Sequence, residues 1–179
     1  MVFHPVTADR LADLARFSEA HGRFRYCSCM RWRMTSVAFA ESTKDDRVVA
    51  LNRRVNQGVP VGVMAYVNGE PVGWCSVAPR ESYAALERYR KLNPIDNRRV
   101  WSIVCFFVDV RHRRKGLTMG LLRAATEYAR SQGARILEGY PVAPEKLYGY
   151  MGSLSTFERV GFRDVTPPGR ERRVFRLAL

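Results

Sequence analysis

The stretch from Val108 to Leu122, Val-Asp-Val-Arg-His-Arg-Arg-Lys-Gly-Leu-Thr-Met-Gly-Leu-Leu, concentrates groups that could do chemistry. An apolar segment runs into Arg111, His112, Arg113, Arg114 and Lys115, then Gly116, then a helical pattern. The first turn of a helix carries backbone N–H groups without intrahelical partners, and the helix dipole adds partial positive charge there. Gly116 lets the backbone approach a guest closely. Such a turn suits an anion, and a phosphate or diphosphate above all.

Other reactive groups give weaker patterns. Cys27-Ser-Cys29 lacks Cys-x-x-Cys spacing, and His4 and His21 form no paired motif, so no metal site is expected. Cys105 lies among Val104, Phe106 and Phe107 with no adjacent His, and reads as a small hydrophobe. Between residues 23 and 33, Arg23, Arg25, Arg31 and Arg33 alternate with aromatic or apolar residues, including Tyr26 and Trp32. Guanidinium groups beside aromatic rings suit a small molecule bearing a carboxylate, a phosphate or a planar ring. Arginines stacked on surface rings would give the same pattern.

The 179 residues suffice for one domain spanning 1–179 with a sizeable core. No apolar window is long enough for a transmembrane helix, and the N-terminus lacks the apolar region of a signal peptide. Four irregularly spaced cysteines do not form a disulfide framework. A reducing cytoplasm is the expected location, with no membrane partner. Net charge is +13, which raises tRNA or another nucleic acid as a second class of partner. The excess is spread along the chain rather than gathered in a tail, which favours a small molecule.

The elements that must position these groups follow from periodicity. A helix is predicted from Thr7 to Gly22, and the 23–33 segment reads as an edge strand or an ordered loop over a cleft. Thr43 and Asp46 make a variant capping box for a helix reaching about residue 57. Residues 62–77 read as a hairpin around Asn68-Gly69. A helix over 81–91 precedes a buried strand over 99–110. A helix from Thr118 to Gln132 turns Leu121, Leu122, Ala125 and Ala129 inward. A strand over 134–142, a short helix ending at Gly161 and a closing strand complete a mixed α/β order, with helices on both faces of a sheet.

At this point the chain resembles a known family. Arg113-Arg-Lys-Gly116-Leu-Thr118 resembles the Arg-x-x-Gly-x-Gly/Ala loop of the GNAT acyltransferase superfamily, with Thr118 where the family prefers Gly or Ala. Phe157-Glu-Arg-Val-Gly-Phe162 is similar to its Tyr-x-x-x-Gly-Phe stretch. The element order is also similar over roughly residues 5–178, with 81–98 as an insertion. The resemblance implies a splayed mixed sheet and an acyl-CoA-dependent N-acyltransferase, with acetyl-CoA as donor and a small-molecule amine as acceptor. It implies direct attack of the amine in a ternary complex, and a homodimer is common among such proteins. The pantetheine arm would meet Phe107, Val108 and Val110. The diphosphate would meet Arg113, Arg114, Lys115, Gly116, Leu117 and Thr118, with Arg111 near the 3′-phosphate. Arg31, Trp32, Arg33 and Tyr148 would bind the acceptor. Glu138, the carboxylate of the strand beside the splay, is the expected general base. The family's usual acid falls on Phe157, which has no hydroxyl, so Tyr140 takes that expectation, ahead of Tyr148 and Tyr150. Asp109 and His112 are secondary candidates, more at home in loop structure and phosphate contact.

Overall fold

The computed structural model describes residues 1–142 and 149–179. A strand absent from the sequence reading opens the chain, β1 (Val2–Pro5). Helices α1 (Leu11–Ala20), α2 (Gly22–Cys27), α3 (Ser36–Glu41) and α4 (Lys44–Asn56) follow. Strands β2 (Gly62–Val67) and β3 (Glu70–Pro79) form the anticipated hairpin. Asn68 and Gly69 both take positive φ, 50° and 81°, as a two-residue turn that follows strand twist requires. The capping box of α4 is present: Asp46 N–H donates to Thr43 Oγ1, and Thr43 N–H to Asp46 Oδ2.

The 23–33 segment holds no strand, and only its second half, residues 28–33, is an ordered loop, which borders a cavity. Its first half is α2, and Ser28 and Cys29 then take left-handed backbone, φ 42° and 56°. The Arg–aromatic alternation misleads here because burial decides the matter. Phe24 is buried against Phe17, Trp74 and Phe107, while Arg25 and Tyr26 face outward, an arrangement that helical turns satisfy.

Between β3 and the next strand lies a segment spanning residues 80–100. Only α5 (Ala84–Arg88) is α-helical, flanked by short 3-10 turns, so the helix predicted over 81–91 is broken. Then come β4 (Trp101–Val108), α6 (Leu117–Ser131), β5 (Ile136–Gly139), α7 (Leu154–Val160), β6 (Arg163–Asp164) and β7 (Phe175–Ala178).

The described strands form one mixed sheet, β1-β2-β3-β4-β5-β7-β6. β4 and β5 are parallel, and every other neighbouring pair is antiparallel. One face packs on α6, whose Leu121, Leu122, Ala125 and Ala129 are fully buried as their spacing requires. The other face, with Met64, Tyr66 and Trp74, packs on residues of α1 to α4.

Two irregularities shape the centre. Ser76 pairs with Cys105 but Val77 pairs with Ile103, so Val104 is an extra residue in β4, a β-bulge. β4 and β5 pair only over Trp101–Leu137, Ser102–Glu138 and Ile103–Gly139. Beyond Ile103, β4 continues to Val108 without β5 beside it. The sheet parts there.

Gly139 sits at the parting. A Cβ at this position would lie 2.1 Å from Phe157 Cε1 and 2.7 Å from Cζ, and Phe157 is fully buried. Gly139→Ala is therefore expected to lower the unfolding free energy by about 1–3 kcal/mol, as overpacking does, read by urea denaturation.

Candidate active site

The bulge re-aims side chains. In a regular strand, neighbours point to opposite faces. Here Val104 and Cys105, adjacent in the chain, line the same cavity, while Ile103 and Phe106 both pack toward α6. That cavity has a volume of about 810 Å³. Its walls come from α2 and the turn after it (Phe24, Cys27, Cys29, Arg31, Trp32), from α3 (Ser36, Phe39), from β3 and β4 (Ser76, Val104, Cys105, Phe107), from the segment between β3 and β4 (Ala85, Tyr89) and from Tyr150, Met151 and Arg172. Tyr150 stacks on Phe107, with centroids 6.2 Å apart and planes 7° from parallel. The walls are mostly aromatic and apolar, with Arg31 and Arg172 as the charged members, and no carboxylate is among the described lining residues.

A second cavity of about 220 Å³ opens where β4 ends. Val108, His112, Arg113, Arg114, Gly116, Leu117, Thr118 and Met119 line it, with Thr156 and Arg159 from α7. Gly116 is the N-cap of α6 with φ 77° and has no side chain to cap the helix. A Cβ there would meet nothing within 4 Å, so the space over the first helical turn is open. The N–H groups of that turn, with no intrahelical acceptors, are free to meet an anion. Arg113 Nε also donates to the Val108 carbonyl oxygen at 3.2 Å, tying the loop to the end of β4.

The sequence-predicted residues sort by place. Arg113, Arg114, Gly116, Leu117 and Thr118 line the smaller cavity, joined by Val108 from the strand end. Phe107 lines the larger one, as do Arg31 and Trp32. Val110 lies beyond the end of β4 in a 3-10 turn and is exposed, so it offers no strand edge to a pantetheine arm. Arg111 is exposed and pairs with Asp109 at 2.7 Å, and neither Arg111 nor Lys115 lines the smaller cavity. Arg33 is buried behind the larger cavity rather than lining it. Tyr148 lies outside the described residues.

Glu138 and Tyr140, the expected base and acid, lie in a buried hydrogen-bonded cluster. Neither lines the cavity. Glu138 is 2% exposed and accepts from Arg80 Nη1 at 3.1 Å, Tyr140 O–H at 2.6 Å and Arg176 Nε at 2.7 Å. Tyr140 is fully buried, accepts from Arg80 at 2.6 Å and lies 2.8 Å from Ser102 Oγ. Burial, then the charge of Glu138, pushes the Tyr140 phenol well above its ordinary value. Arg176 goes on to Asp96, and Arg80 donates to the Leu92 carbonyl oxygen and pairs with Glu87. The Glu138 carboxylate lies between two guanidinium groups and fastens the segment between β3 and β4 to β5 and β7. Asp109 is structural as well. Its carboxylate accepts from Arg111 N–H, and the Arg111 side chain holds its pKa down to about 2.

Several lining residues were not foreseen. Thr156 and Arg159 lie 40 or more residues from the loop they complete, and nothing local in the sequence marks them. Ser36, Phe39, Tyr89 and Arg172 are likewise brought in by tertiary packing. Cys29 and Cys105 carried a signal, since a Cys-x-Cys between arginines is unusual, but the metal and hydrophobe readings absorbed it. Among the described residues, no group of three or more His, Cys, Asp or Glu could hold a metal ion.

Two measurements separate structural from chemical roles. Glu138→Gln leaves two buried guanidinium groups under-compensated, and is expected to cost about 3–5 kcal/mol of unfolding free energy while folded protein keeps its activity. For Asp109, a depressed pKa means stability that is present above about pH 4 and lost as pH falls through about 2. The melting temperature of Asp109→Asn is expected to lie below the parent at pH 6, and the gap to close toward pH 2.

Comparison with known proteins follows this geometry. The model of the acetyltransferase (GNAT) family matches residues 25–149. A search of curated proteins found no match. Among solved structures, yncA from Salmonella typhimurium with its cofactor acetyl-CoA superposes with a TM-score of 0.59 at 18% identity, over 100% of this chain and 94% of that one. A ribosomal-protein-alanine N-acetyltransferase from Brucella melitensis gives 0.56 at 17%, over 100% of both chains. A Drosophila melanogaster polyamine N-acetyltransferase gives 0.57 at 13%, over 99% of both. At these identities the superpositions establish the fold. The matched stretch runs through the parting of β4 from β5 and through the turn at Gly116, and the chain belongs to the acetyltransferase (GNAT) family.

Proposed function

We propose that this protein transfers an acetyl group from acetyl-CoA to the amine of a small molecule, by direct attack within a ternary complex. One observation carries the reading. The unpaired half of β4 borders both cavities: Val108 closes the loop cavity, and Phe107, Cys105 and Val104 form a wall of the large one. A molecule with an anionic end and an extended amide-rich arm fits that track. Its diphosphate would rest on the first turn of α6, flanked by Arg113, Arg114 and Arg159. Its arm would lie along β4, where no β5 strand competes for backbone hydrogen bonds. Arg111 and Lys115, exposed at the rim, are placed for a further phosphate outside.

The donor, when bound, supplies an activated thioester. The chain's own residues contribute position. Holding an amine and a carbonyl carbon in reacting geometry can supply about 7–11 kcal/mol of the barrier. With no carboxylate among the described lining residues, the amine is expected to attack from its neutral form, so acceptor kcat/KM rises with pH toward the acceptor's own pKa. Tyr150, in the cavity wall beside Phe107, is a phenol that borders the proposed reaction track, as Tyr140 does not. Arg31 and Arg172 amid Phe24, Trp32 and Phe39 favour an acceptor with an apolar or planar body and an anionic group, over a polycation.

The test is binding followed by turnover. Acetyl-CoA at about 100 times its dissociation constant should stabilise the fold by about 2.7 kcal/mol, visible as a rise in melting temperature. In Gly116→Val, left-handed backbone becomes costly by about 1–2 kcal/mol. The acetyl-CoA KM is then expected to rise about tenfold, with kcat little changed. An unchanged KM would remove the loop from the donor site.

A further inference from the structure

The approach to β7 and the strand itself carry Arg170, Arg172, Arg173 and Arg176. Arg173 pairs with Asp164 at 3.1 Å, and Arg176 with Asp96 and Glu138 at 2.6 and 2.7 Å. Arg170 donates to the Asn93 carbonyl oxygen on the surface. Arg172 differs from all three. It is half-buried, it lines the large cavity, and no carboxylate pairs with it among the described residues. Its Nη2 has two modest acceptors, Met151 Sδ at 3.0 Å and the Tyr140 carbonyl oxygen at 3.5 Å. Its Nη1 donates to no described residue, and its Nε is buried without an acceptor. Arg33 and Arg47 are also buried among neutral acceptors, but neither lines a cavity. A guanidinium with spare donors in an otherwise apolar wall suits a carboxylate that arrives with the guest.

Position decides which part of the guest that is. Tyr140 directly follows Gly139, whose partner Ile103 is the last residue of β4 paired with β5. Held on the Tyr140 carbonyl, the Arg172 guanidinium stands at the level where the strands part, and Val104 and Met151 share the cavity wall with it. The thioester proposed above reaches the cavity through the same opening. A carboxylate on Arg172 is then close to the reacting carbon, so amine and carboxylate must be close within the acceptor. The rest of the wall includes Phe24, Trp32, Phe39 and Tyr89, with the Trp32 and Tyr89 rings edge to face at 6.0 Å. That surface suits an aromatic or large apolar body.

We infer, resting on the acetyl-transfer reading above, that the acceptor is a free α-amino acid with an aromatic or large apolar side chain, and that Arg172 reads its carboxylate. The neutral α-amine attacks the thioester carbonyl carbon. A carbon–nitrogen bond forms, the carbon–sulfur bond breaks, and coenzyme A leaves as the thiolate. The proton shed by the nitrogen passes to that thiolate or to water, leaving an N-acetyl amino acid. The N-terminus of a peptide is a poor substitute, because the amide beside its amine brings Arg172 no charge.

The experiment offers acetyl-CoA with L-phenylalanine, L-tryptophan, L-leucine, phenylalaninamide, phenethylamine or spermidine, and identifies acetylated products by mass. The parent is expected to use phenylalanine with a kcat/KM about tenfold or more above those of phenylalaninamide and phenethylamine, as loss of a charged hydrogen-bond partner requires. 3-Phenylpropanoate, which has the carboxylate but no amine, should compete with phenylalanine. Arg172→Met should raise the phenylalanine KM about tenfold or more and leave phenethylamine unchanged, whereas a purely structural role would lower both together. Arg172→Lys, which keeps the charge, should keep part of the preference. The parent's own selectivity needs no variant. Acetyl-CoA binding without acetylation of any of the three amino acids, equal use of phenethylamine, phenylalaninamide or spermidine, or an Arg172→Met loss shared by every acceptor would overturn the amino-acid assignment and leave the donor site standing. No melting shift with acetyl-CoA and no acetylated amine would remove both.

Discussion

Val104 has no counterpart on β3, and the working geometry of the molecule hangs on that one extra residue. It reverses the facing of everything after it in β4. Phe106 and Val108 then seal the face against α6, while Cys105 and Phe107 open toward the helices on the other side. Had β4 been regular, Cys105 would have followed Ile103 into the core. The parting from β5 begins at the same level, so among the described strands none pairs with that edge of β4 where the side chains have been re-aimed. The cavity on one flank and the parting on the other meet at a single local irregularity.

The arginine surplus acquires a second meaning from the interior. Arg33, Arg47 and Arg80 are all nearly buried. Each is satisfied differently. Arg80 sits against Glu138, Tyr140 and Glu87. Arg47 donates to carbonyl oxygens at the end of α3 and lies over the rings of Tyr26 and Phe39. Arg33 lies over Tyr83 and donates to Ser76 Oγ and to the carbonyl oxygens of Cys29 and Val61. The planar guanidinium tolerates such sites, with several donors in a fixed fork and weak hydration. Part of the net charge of +13 is therefore structural and does not face a partner.

What was legible in the sequence was whatever local chemistry decides. The Asn68-Gly69 turn, the Thr43 capping box, the inward stripe of α6 and the Gly116 turn each depend on residues within a few positions of one another. The parting of the sheet was reached through family resemblance rather than through periodicity. What could not be read depends on distant partners. Glu138 looked like a solitary carboxylate in an apolar strand, because Arg80 and Arg176 are 58 and 38 residues away. Residues 23–33 alternated like a strand, yet the choice of helix was made by Trp74 and Phe107, where Phe24 had to pack. The bulge itself leaves no mark in the sequence, since Val104 is as good a strand residue as its neighbours.

The excursion between β3 and β4 is held at both ends and at its middle. Arg80 and Asp96 join the cluster around Glu138, Leu92 fills a buried position, and Ala85 N–H donates to the Trp32 carbonyl oxygen. Its contributions to the cavity, Ala85 and Tyr89, belong to none of the charged anchors. Side-chain anchoring and lining are thus carried by separate positions of one short segment, with Ala85 anchoring through its backbone alone. Evolution or a protein engineer could change residues 85 and 89 to reshape the chamber for another guest, leaving the fasteners and the overall stability in place.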